Sequence, residues 1–251
     1  MWRVSTNLPD SNDNNQSNGG LREQDFESRL RSLDVTLFAH VPSQTGPHDR
    51  ASLLALHNAC RVAYESFHYV EIGSHLGGSL QVMIADPRCT AITSIDPRPV
   101  AVPDARGVSS EYPGNSVERM LNHLRRVPGA DLTKLRTIEA TTSEISAAAV
   151  DRAELCFIDA EHTHDAALRD ARFCSQVVAG NGAIVFHDRG LLWSAIEQFC
   201  TELEPGSFIY YPMRGSIFVV ELGPERLGRT EWVTRQRREL GRKFGSPRTH
   251  A

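Results

Sequence analysis

A glycine-rich turn directly after a short strand-like run is the feature that most constrains the fold of this chain. Residues 69–72 are aromatic or β-branched apart from one carboxylate, Glu71, and the turn GSHLGGS follows at 73–79. The apolar run at 80–85 can then form a helix. A strand, turn and helix in this order begin an α/β ligand-binding unit, because the glycines let the backbone pass close to a ligand.

The spacing of the glycines distinguishes two kinds of nucleotide site. Glycines occupy positions 73, 77 and 78, whereas His75 stands where a dinucleotide fingerprint has its second glycine. This spacing favours a nucleoside without phosphates over a pyrophosphate. An acidic residue before a G-x-x-x-G-G turn resembles the first motif of class I S-adenosylmethionine-dependent methyltransferases. From this resemblance we expect the methyl donor to be bound by Glu71, Gly73, Ser74, Gly77 and Ser79.

Apolar patterning predicts strands that alternate with helices along the chain. Strands are predicted at 67–72, 90–95, 135–139, 154–158, 182–187, 207–211 and 215–221. Helices are predicted at 25–33, 48–64, 78–85, 115–126, 143–149, 163–179 and 190–203. The alternation indicates a mostly parallel sheet with helices on both faces.

The last two predicted strands depart from this alternation. Only Pro212-Met213-Arg214-Gly215 joins them, which is too short for a crossover helix, so they are expected to pair as an antiparallel hairpin. Five strand–helix units followed by a hairpin resemble the methyltransferase sheet with its reversed last strand. The expected fold is therefore α/β, a Rossmann-like seven-stranded methyltransferase sheet with an N-terminal helical extension.

Composition along the chain predicts four segments. Residues 1–22 are polar and expected to be disordered. Residues 23–65 hold amphipathic helices with more apolar surface than one sheet face needs, so we expect an active-site lid or a homo-oligomer contact. Residues 66–222 are the expected donor-binding domain, and 223–251 form a basic tail, either a solvated helix face or a frayed end. Within the domain, the stretch from Arg98 to Gly114 is predicted to be a mobile lid.

Charge and cysteine content narrow the functional classes. The formal net charge is −4, which gives no support for nucleic acid as the main partner. The five cysteines are widely spaced and form no CxxC pair, so reduced thiols are expected rather than a zinc site or disulfides. No signal peptide is recognisable and no run approaches the ~18 apolar residues of a membrane span. We therefore expect a cytoplasmic protein without a membrane segment.

Polar residues at the ends of the second and third predicted strands complete the expected donor site. Asp96 stands at the tip of the second strand, where a carboxylate can accept two hydrogen bonds from a ribose diol. Dehydrogenases and methyltransferases both use a carboxylate in this way, so Asp96 indicates a nucleoside without distinguishing the two classes. Thr142 and Ser143 follow the third strand and are most simply helix N-caps, with neighbours beside the adenine. We assign Asp96, Thr142 and Ser143 to the donor site.

Acidic and imidazole groups follow the fourth and fifth predicted strands. Because these strands are expected to be neighbours, Asp159, His187 and Asp188 should meet above the sheet. Two carboxylates and an imidazole can hold a divalent cation and leave room for substrate oxygens. Ligands dominated by oxygen favour Mg²⁺ or Mn²⁺ over zinc.

The motif FIDxxH at 157–162, paired with GxxxFHD at 182–188, resembles a group of metal-dependent small-molecule O-methyltransferases. That group acts on macrolide and other antibiotic sugars and includes the cephalosporin hydroxylase-like proteins. The resemblance covers about residues 50–222. It implies that Asp159 binds a metal beside the donor and that His162 is the general base, although His164 could do the same work.

The chain departs from this group at one position. His187 stands where the group has the first acid of a consecutive pair, and only Asp188 remains. Because a neutral imidazole carries no negative charge, magnesium should bind less tightly here. A metal-free site in which His187 only forms hydrogen bonds stays open as an alternative.

Together these features predict an S-adenosylmethionine-dependent O-methyltransferase acting on a hydroxyl of a small molecule, a sugar or a glycosylated natural product. His162 is expected to take the hydroxyl proton, and alignment of the reactants to supply most of the acceleration. An NAD-dependent oxidoreductase is disfavoured by the broken G-x-G-x-x-G pattern and the terminal hairpin. A non-catalytic nucleoside-binding protein stays open because of His187.

Overall fold

A seven-stranded sheet organises the computed structural model, which describes residues 24–98, 106–108 and 112–244. Its strands are β1 (Phe67–Ile72), β2 (Cys89–Ile95), β3 (Leu135–Ile138), β4 (Ala153–Ile158), β5 (Val178–Phe186), β6 (Phe208–Pro212) and β7 (Phe218–Leu222). Their order across the sheet is β3-β2-β1-β4-β5-β7-β6. The first five strands pair in parallel, whereas β7 runs antiparallel to β5 and β6. The predicted methyltransferase-type sheet with its reversed last strand is confirmed.

Helices cover both faces of this sheet. They are α1 (24–31), α2 (Pro47–Ala63), α3 (Gln81–Ala85), α4 (Val117–Leu124), α5 (His164–Val177), α6 (Arg189–Glu202) and α7 (Glu231–Phe244). Short 3-10 helices lie at Val35–Phe38, Leu132–Lys134 and Ala147–Ala149. The predicted disordered tail, 1–22, and residues 99–105 and 109–111 of the predicted lid lie outside the described residues.

The helix predicted at 143–149 is wrong. This stretch is a turn that ends in the 3-10 helix Ala147–Ala149. The Glu144 carboxylate accepts hydrogen bonds from the Thr141 amide and hydroxyl at 2.7 and 2.8 Å, and the Ser146 hydroxyl accepts from the Ala148 amide. Side chains that satisfy nearby backbone and hydroxyl groups in this way compete with α-helical hydrogen bonds.

The alternation of side chains along the strands separates two hydrophobic clusters. In β4, Leu155 and Phe157 face the cluster that includes α2, α3, α4 and α7, while Cys156 and Ile158 face the cluster formed with α5 and α6. A strand buried on both faces is typical of the centre of an α/β sheet. Among the described residues, no helix has the length and apolar character needed to cross a membrane. All five cysteines are free thiols.

The N-terminal and C-terminal helices pack on the same face. Helix α2 is buried from Ser52 to Cys60 and packs against α7. Arg237 of α7 is engaged within the chain, since it lies 2.7 Å from Glu225 and its guanidinium lies over the Tyr211 ring, 4.4 Å from the centroid. Glu239 of the same helix pairs with an arginine of the β6–β7 turn. The apolar face of α2 is therefore covered within the chain itself.

Candidate active site

Four parallel strands end level with one another and bring the predicted site residues to one edge of the sheet. Ile95, Ile72, Ile158 and Phe186 are partners across β2, β1, β4 and β5. Hydrogen bonds of 2.8 to 3.0 Å continue the ladder one residue further, from Gly73 to Ile95, from Asp159 to Ile72 and from His187 to Ile158. The register therefore aligns Asp96, Gly73, Asp159 and His187, each the first residue after its strand.

The glycine-rich turn touches the backbone that follows β4. Gly73 adopts φ +89°, and a Cβ atom placed on it would lie 2.1 Å from the carbonyl oxygen of Asp159. Gly77 also has a positive φ, of 82°, and non-glycine His75 adopts φ 44°. Positive φ at a non-glycine residue is uncommon and concentrates at functional sites. The turn 73–79 is called the donor loop below.

Glu71 supports the donor loop from inside the protein. Its side chain is fully buried, and its two oxygens accept hydrogen bonds of 2.6 Å from the hydroxyls of Tyr69 and Ser79. Burial raises the pKa of Glu71 to about 7, although these hydrogen bonds oppose the rise. The hydroxyl of Ser74 accepts a bond from Ser94 at 2.8 Å and is buried as well.

Asp96 ties the donor loop to the end of β2. One carboxylate oxygen accepts from the His75 amide at 2.7 Å, and the other from the Arg98 amide at 3.1 Å. The buried Arg98 guanidinium donates to the His75 carbonyl and to the Asn115 side chain. Each Asp96 oxygen has two lone pairs, so it can accept a further bond from a hydroxyl.

Thr142 and Ser143 face different directions. The Thr142 hydroxyl is buried and donates to Asp170 of α5, and Arg169 donates to it at 3.3 Å. Ser143 is exposed, with its hydroxyl 2.8 Å from that of Thr141. The structure therefore turns the Thr142 side chain toward α5 and leaves Ser143 on the surface after β3.

Two histidines and two aspartates form a compact cluster beside the donor loop. The Nδ1 atom of His187 lies 3.0 Å from Asp159 Oδ1 and 3.1 Å from Asp188 Oδ2. The Nε2 atom of His162 lies 3.2 Å from Asp188 Oδ2 and 4.0 Å from Asp159 Oδ1. Asp188 adopts a left-handed conformation, φ 48° and ψ 40°, at the start of α6. We call these four residues the acid–histidine cluster.

The charges in this cluster reinforce one another. Burial opposes ionisation of Asp159, but His162 and His187 outweigh it and lower the Asp159 pKa to about 2. Burial also opposes the charged form of His187, yet Asp159, Asp188 and Asp49 raise its pKa to about 12. Asp159 raises the pKa of His162 as well. In this arrangement Asp159 is an anion and His187 a cation at neutral pH.

The cluster has the geometry of a divalent-cation site. Ligand atoms of Asp159, His162 and Asp188 all lie within 4.8 Å of one another. The His162 Nε2 atom is buried and lies nearest to Asp188 Oδ2, at 3.2 Å. This set differs from the predicted one, because His187 already holds both carboxylates with its Nδ1 atom. The carboxylates of Asp159 and Asp188 are oxygen ligands of the kind that fits Mg²⁺ or Mn²⁺.

Asp49 was missed by sequence reasoning. It lies in the first turn of α2, and its Oδ2 atom is 3.8 Å from His187 Nε2. An acidic residue in the first turn is explained by the helix dipole alone. The chain offers no local signal that would connect this position with the sheet edge.

Segments from three parts of the chain meet over the donor loop. Buried Gln81 accepts from the amides of His40 and Val41, each at 2.9 Å, and donates to the Gly78 carbonyl at 2.8 Å. The His75 and Tyr112 rings contact each other at a tilt of 50°, with centroids 4.6 Å apart. The N-terminal segment is thus attached directly to the donor loop.

Comparisons with known proteins agree with this architecture. A methyltransferase-domain family model matches residues 70–189, and no curated protein matches the sequence. The O-methyltransferase NovP superposes with a TM-score of 0.60 at 10% identity, over 79% of this chain and 100% of NovP. Cofactor-bound Rv0187 from MTB superposes with a TM-score of 0.52 at 11% identity, over 81% of this chain and 90% of Rv0187. SAH-bound methyltransferase PaMTH1 from Podospora anserina superposes with a TM-score of 0.50 at 14% identity, over 88% of this chain and 100% of PaMTH1.

The domain match covers the strands that carry the donor loop, Asp96 and the acid–histidine cluster. The similar structures superpose on most of the chain, so they share its overall fold. Residues 70–189 are therefore a methyltransferase domain, built on a fold that the chain shares with the similar methyltransferase structures.

Proposed function

We propose that this methyltransferase moves the methyl group of S-adenosylmethionine to a hydroxyl of a small molecule, a sugar or a glycosylated natural product. The observation that carries the proposal is the contact between the donor loop and the acid–histidine cluster, through Gly73 and Asp159. A hydroxyl is a poor nucleophile until it loses its proton, so methyl transfer to oxygen benefits from a base close to the donor. His162, whose Nε2 atom lies 3.2 Å from Asp188 Oδ2, supplies that base.

We assign the donor to the edge formed by β1, β2 and β4. Gly73 and Gly77 let the backbone approach it, Ser74 and Ser79 line the loop, and Asp96 accepts from its ribose hydroxyls. Glu71 does not contact the donor itself in this assignment; it accepts a hydrogen bond from the Ser79 hydroxyl and so fixes the loop. Thr142 and Ser143 stay our candidates for the adenine side. Asp159, next to Gly73, faces the donor's reactive end.

We assign a divalent cation to Asp159 and Asp188. When bound, such a cation lowers the pKa of the acceptor hydroxyl and fixes its direction. His187 keeps the two carboxylates together through its Nδ1 atom. His162 lies beside the same carboxylates and takes the proton. Vicinal hydroxyls suit this arrangement, because one can be methylated while its neighbour is held.

In this mechanism the chain acts mainly by placing two reactants in line. The donor loop holds the sulfonium methyl, and the cluster holds the hydroxyl oxygen at the same sheet edge. Orientation of this kind accounts for a large part of the acceleration in a direct displacement. The free thiols are consistent with a cytoplasmic location. The match of residues 70–189 to a methyltransferase domain disfavours the alternative of an NAD-dependent oxidoreductase.

The test is a transfer assay with ¹³C-methyl S-adenosylmethionine and a panel of hydroxyl acceptors. The panel contains methyl α-L-rhamnoside and catechol as vicinal diols, and a primary amine as a nitrogen nucleophile. The proposal predicts label in an O-methyl product. Label on the amine alone would overturn the hydroxyl assignment, and donor binding without any transfer would support the non-catalytic alternative.

A further inference from the structure

We propose that Asp49 is a positioning residue of the active site, which acts through His187 on Asp159 and Asp188. The inference rests on the proposed function, because that function gives the two aspartates their roles. Asp49 lies outside the matched domain, in the first turn of α2. If it acts in this way, the N-terminal helix is part of the catalytic apparatus and not only a cover.

The β6–β7 turn fixes the Asp49 carboxylate in place. Its Oδ1 atom accepts from the Ser216 amide at 2.5 Å and from the Ser216 hydroxyl at 3.1 Å. Gly215 has φ +74°, and a Cβ atom there would lie 2.1 Å from the same oxygen. The turn is therefore shaped around this carboxylate, and only glycine leaves room for it.

With Oδ1 held by the turn, Oδ2 is directed toward His187. It lies 3.8 Å from His187 Nε2. That nitrogen is buried and has no hydrogen-bond partner among the described residues. A buried polar atom without a partner is costly. The nearby Asp49 charge offsets part of this cost and favours the observed position of the ring.

The other side of the ring acts on the cluster. His187 Nδ1 lies within hydrogen-bond distance of Asp159 and Asp188. Two like charges side by side repel each other in a partly desolvated site, so the ring that lies between them sets their separation. Asp49 faces the opposite end of the ring. Removing its charge frees the ring to turn and the two aspartates to move apart.

Other contacts hold the β6–β7 turn without Asp49. Arg189 donates to the carbonyls of Met213 and Ile217, each at 2.9 Å. The Ser52 hydroxyl of α2 donates to the Arg214 carbonyl at 2.9 Å. The turn should therefore stay docked when the Asp49 charge is removed. Ser52 also provides a matched control, because it joins α2 to the same turn without touching His187.

The decisive variant is Asp49→Asn. The amide keeps an oxygen that can accept from the Ser216 amide, and it loses the charge that faces His187. We expect kcat for the fastest diol of the acceptor panel to fall roughly tenfold or more, with the Kd of S-adenosylhomocysteine within about twofold of wild type. Ser52→Ala should leave both quantities nearly unchanged. Thermal unfolding is measured for both variants to confirm that they fold.

A second readout does not depend on turnover. In ¹⁵N-histidine NMR spectra, assigned with His187→Asn, the His187 ring resonances should shift in Asp49→Asn and stay in place in Ser52→Ala. Unchanged kcat and unchanged ring resonances in Asp49→Asn would overturn the inference. So would an equal loss of kcat in both variants, which would mean that Asp49 only docks α2. If wild type methylates no hydroxyl, the proposed function fails, and the NMR comparison alone decides the inference.

Discussion

Gly73 and Asp159 meet through their backbones, so that the donor loop after β1 rests on the residue that begins the acid–histidine cluster after β4. The distance from a Cβ atom on Gly73 to the Asp159 carbonyl oxygen would be 2.1 Å. In the proposed mechanism this contact sets the position of the methyl donor relative to the acceptor. A shift of the loop would misalign the two reactants, and displacements of about 1 Å are enough to cost rate.

Gly73→Ala should therefore disrupt both the fold and donor binding. The new methyl group would clash with backbone, and φ +89° is strained for alanine. We expect a loss of about 2 kcal/mol or more in the free energy of unfolding, together with weaker S-adenosylhomocysteine binding by calorimetry. Gly190→Ala is the control, because Gly190 has open space around its Cβ position. Equal stability of the two variants would contradict the argument.

Asp96→Ala should weaken donor binding strongly. Wild type is expected to bind S-adenosylhomocysteine in the micromolar range, near −8 kcal/mol. The substitution removes the ribose acceptor and releases the His75 and Arg98 amides. Asp131→Ala is a suitable control, because the Asp131 carboxylate accepts from the amide and hydroxyl of nearby Thr133 at the surface, away from the site. If calorimetry shows that the protein binds NAD and does not bind S-adenosylhomocysteine, the assignment is wrong.

The fold could be predicted from the sequence because its signals are local. Strands such as β1 and β4 are apolar runs between polar turns, and the link between β6 and β7, residues 213–217, is too short for a crossover helix. The burial of Glu71 was not predicted: it was expected to bind the donor, and in the structure its oxygens accept from Tyr69 and Ser79 inside the protein. The error at 143–149 arose because the Glu144 carboxylate satisfies the turn instead of starting a helix.

The complete site could not be predicted, because part of it comes from distant contacts. Asp49 and Ser216 are 167 residues apart and meet only after α2 has packed on the sheet. The position of His187 depends on that contact as well. The sequence placed His187 among the metal ligands by its motif alone, whereas the structure surrounds it with three carboxylates.

Buried Glu71 should make stability depend on pH. Its pKa is raised from 4.5 to about 7 in the folded protein, so its contribution is fully present below pH 4.5 and is lost as the pH rises toward 7. The difference corresponds to about 3 kcal/mol. In thermal or denaturant unfolding, Glu71→Gln should gain stability relative to wild type between pH 4.5 and pH 8. If the difference in unfolding free energy between Glu71→Gln and wild type does not change with pH, the pKa of Glu71 is not raised.

Chelation tests the cation assignment. EDTA should lower methyl transfer, and Mg²⁺ or Mn²⁺ should restore it, because carboxylate ligands suit both ions. His187→Asp should raise magnesium affinity by adding a negative charge beside Asp188. Calcium, a hard cation of larger radius, serves as the comparison metal. Turnover that is indifferent to EDTA would leave Asp159 and Asp188 as partners of the histidines alone.

The role of His162 is the central claim, and a comparison of two histidine variants tests it most directly. Transfer of ¹³C-methyl to the diol acceptors is measured for wild type, His162→Ala and His164→Ala, alongside the Kd of S-adenosylhomocysteine. His164 is the control because its ring bonds to Ser194 and Gln198 on α6. We predict that His162→Ala lowers kcat by roughly 10²–10⁴-fold with donor affinity nearly unchanged, while His164→Ala stays close to wild type. Full turnover in His162→Ala, with loss in His164→Ala, would contradict the account.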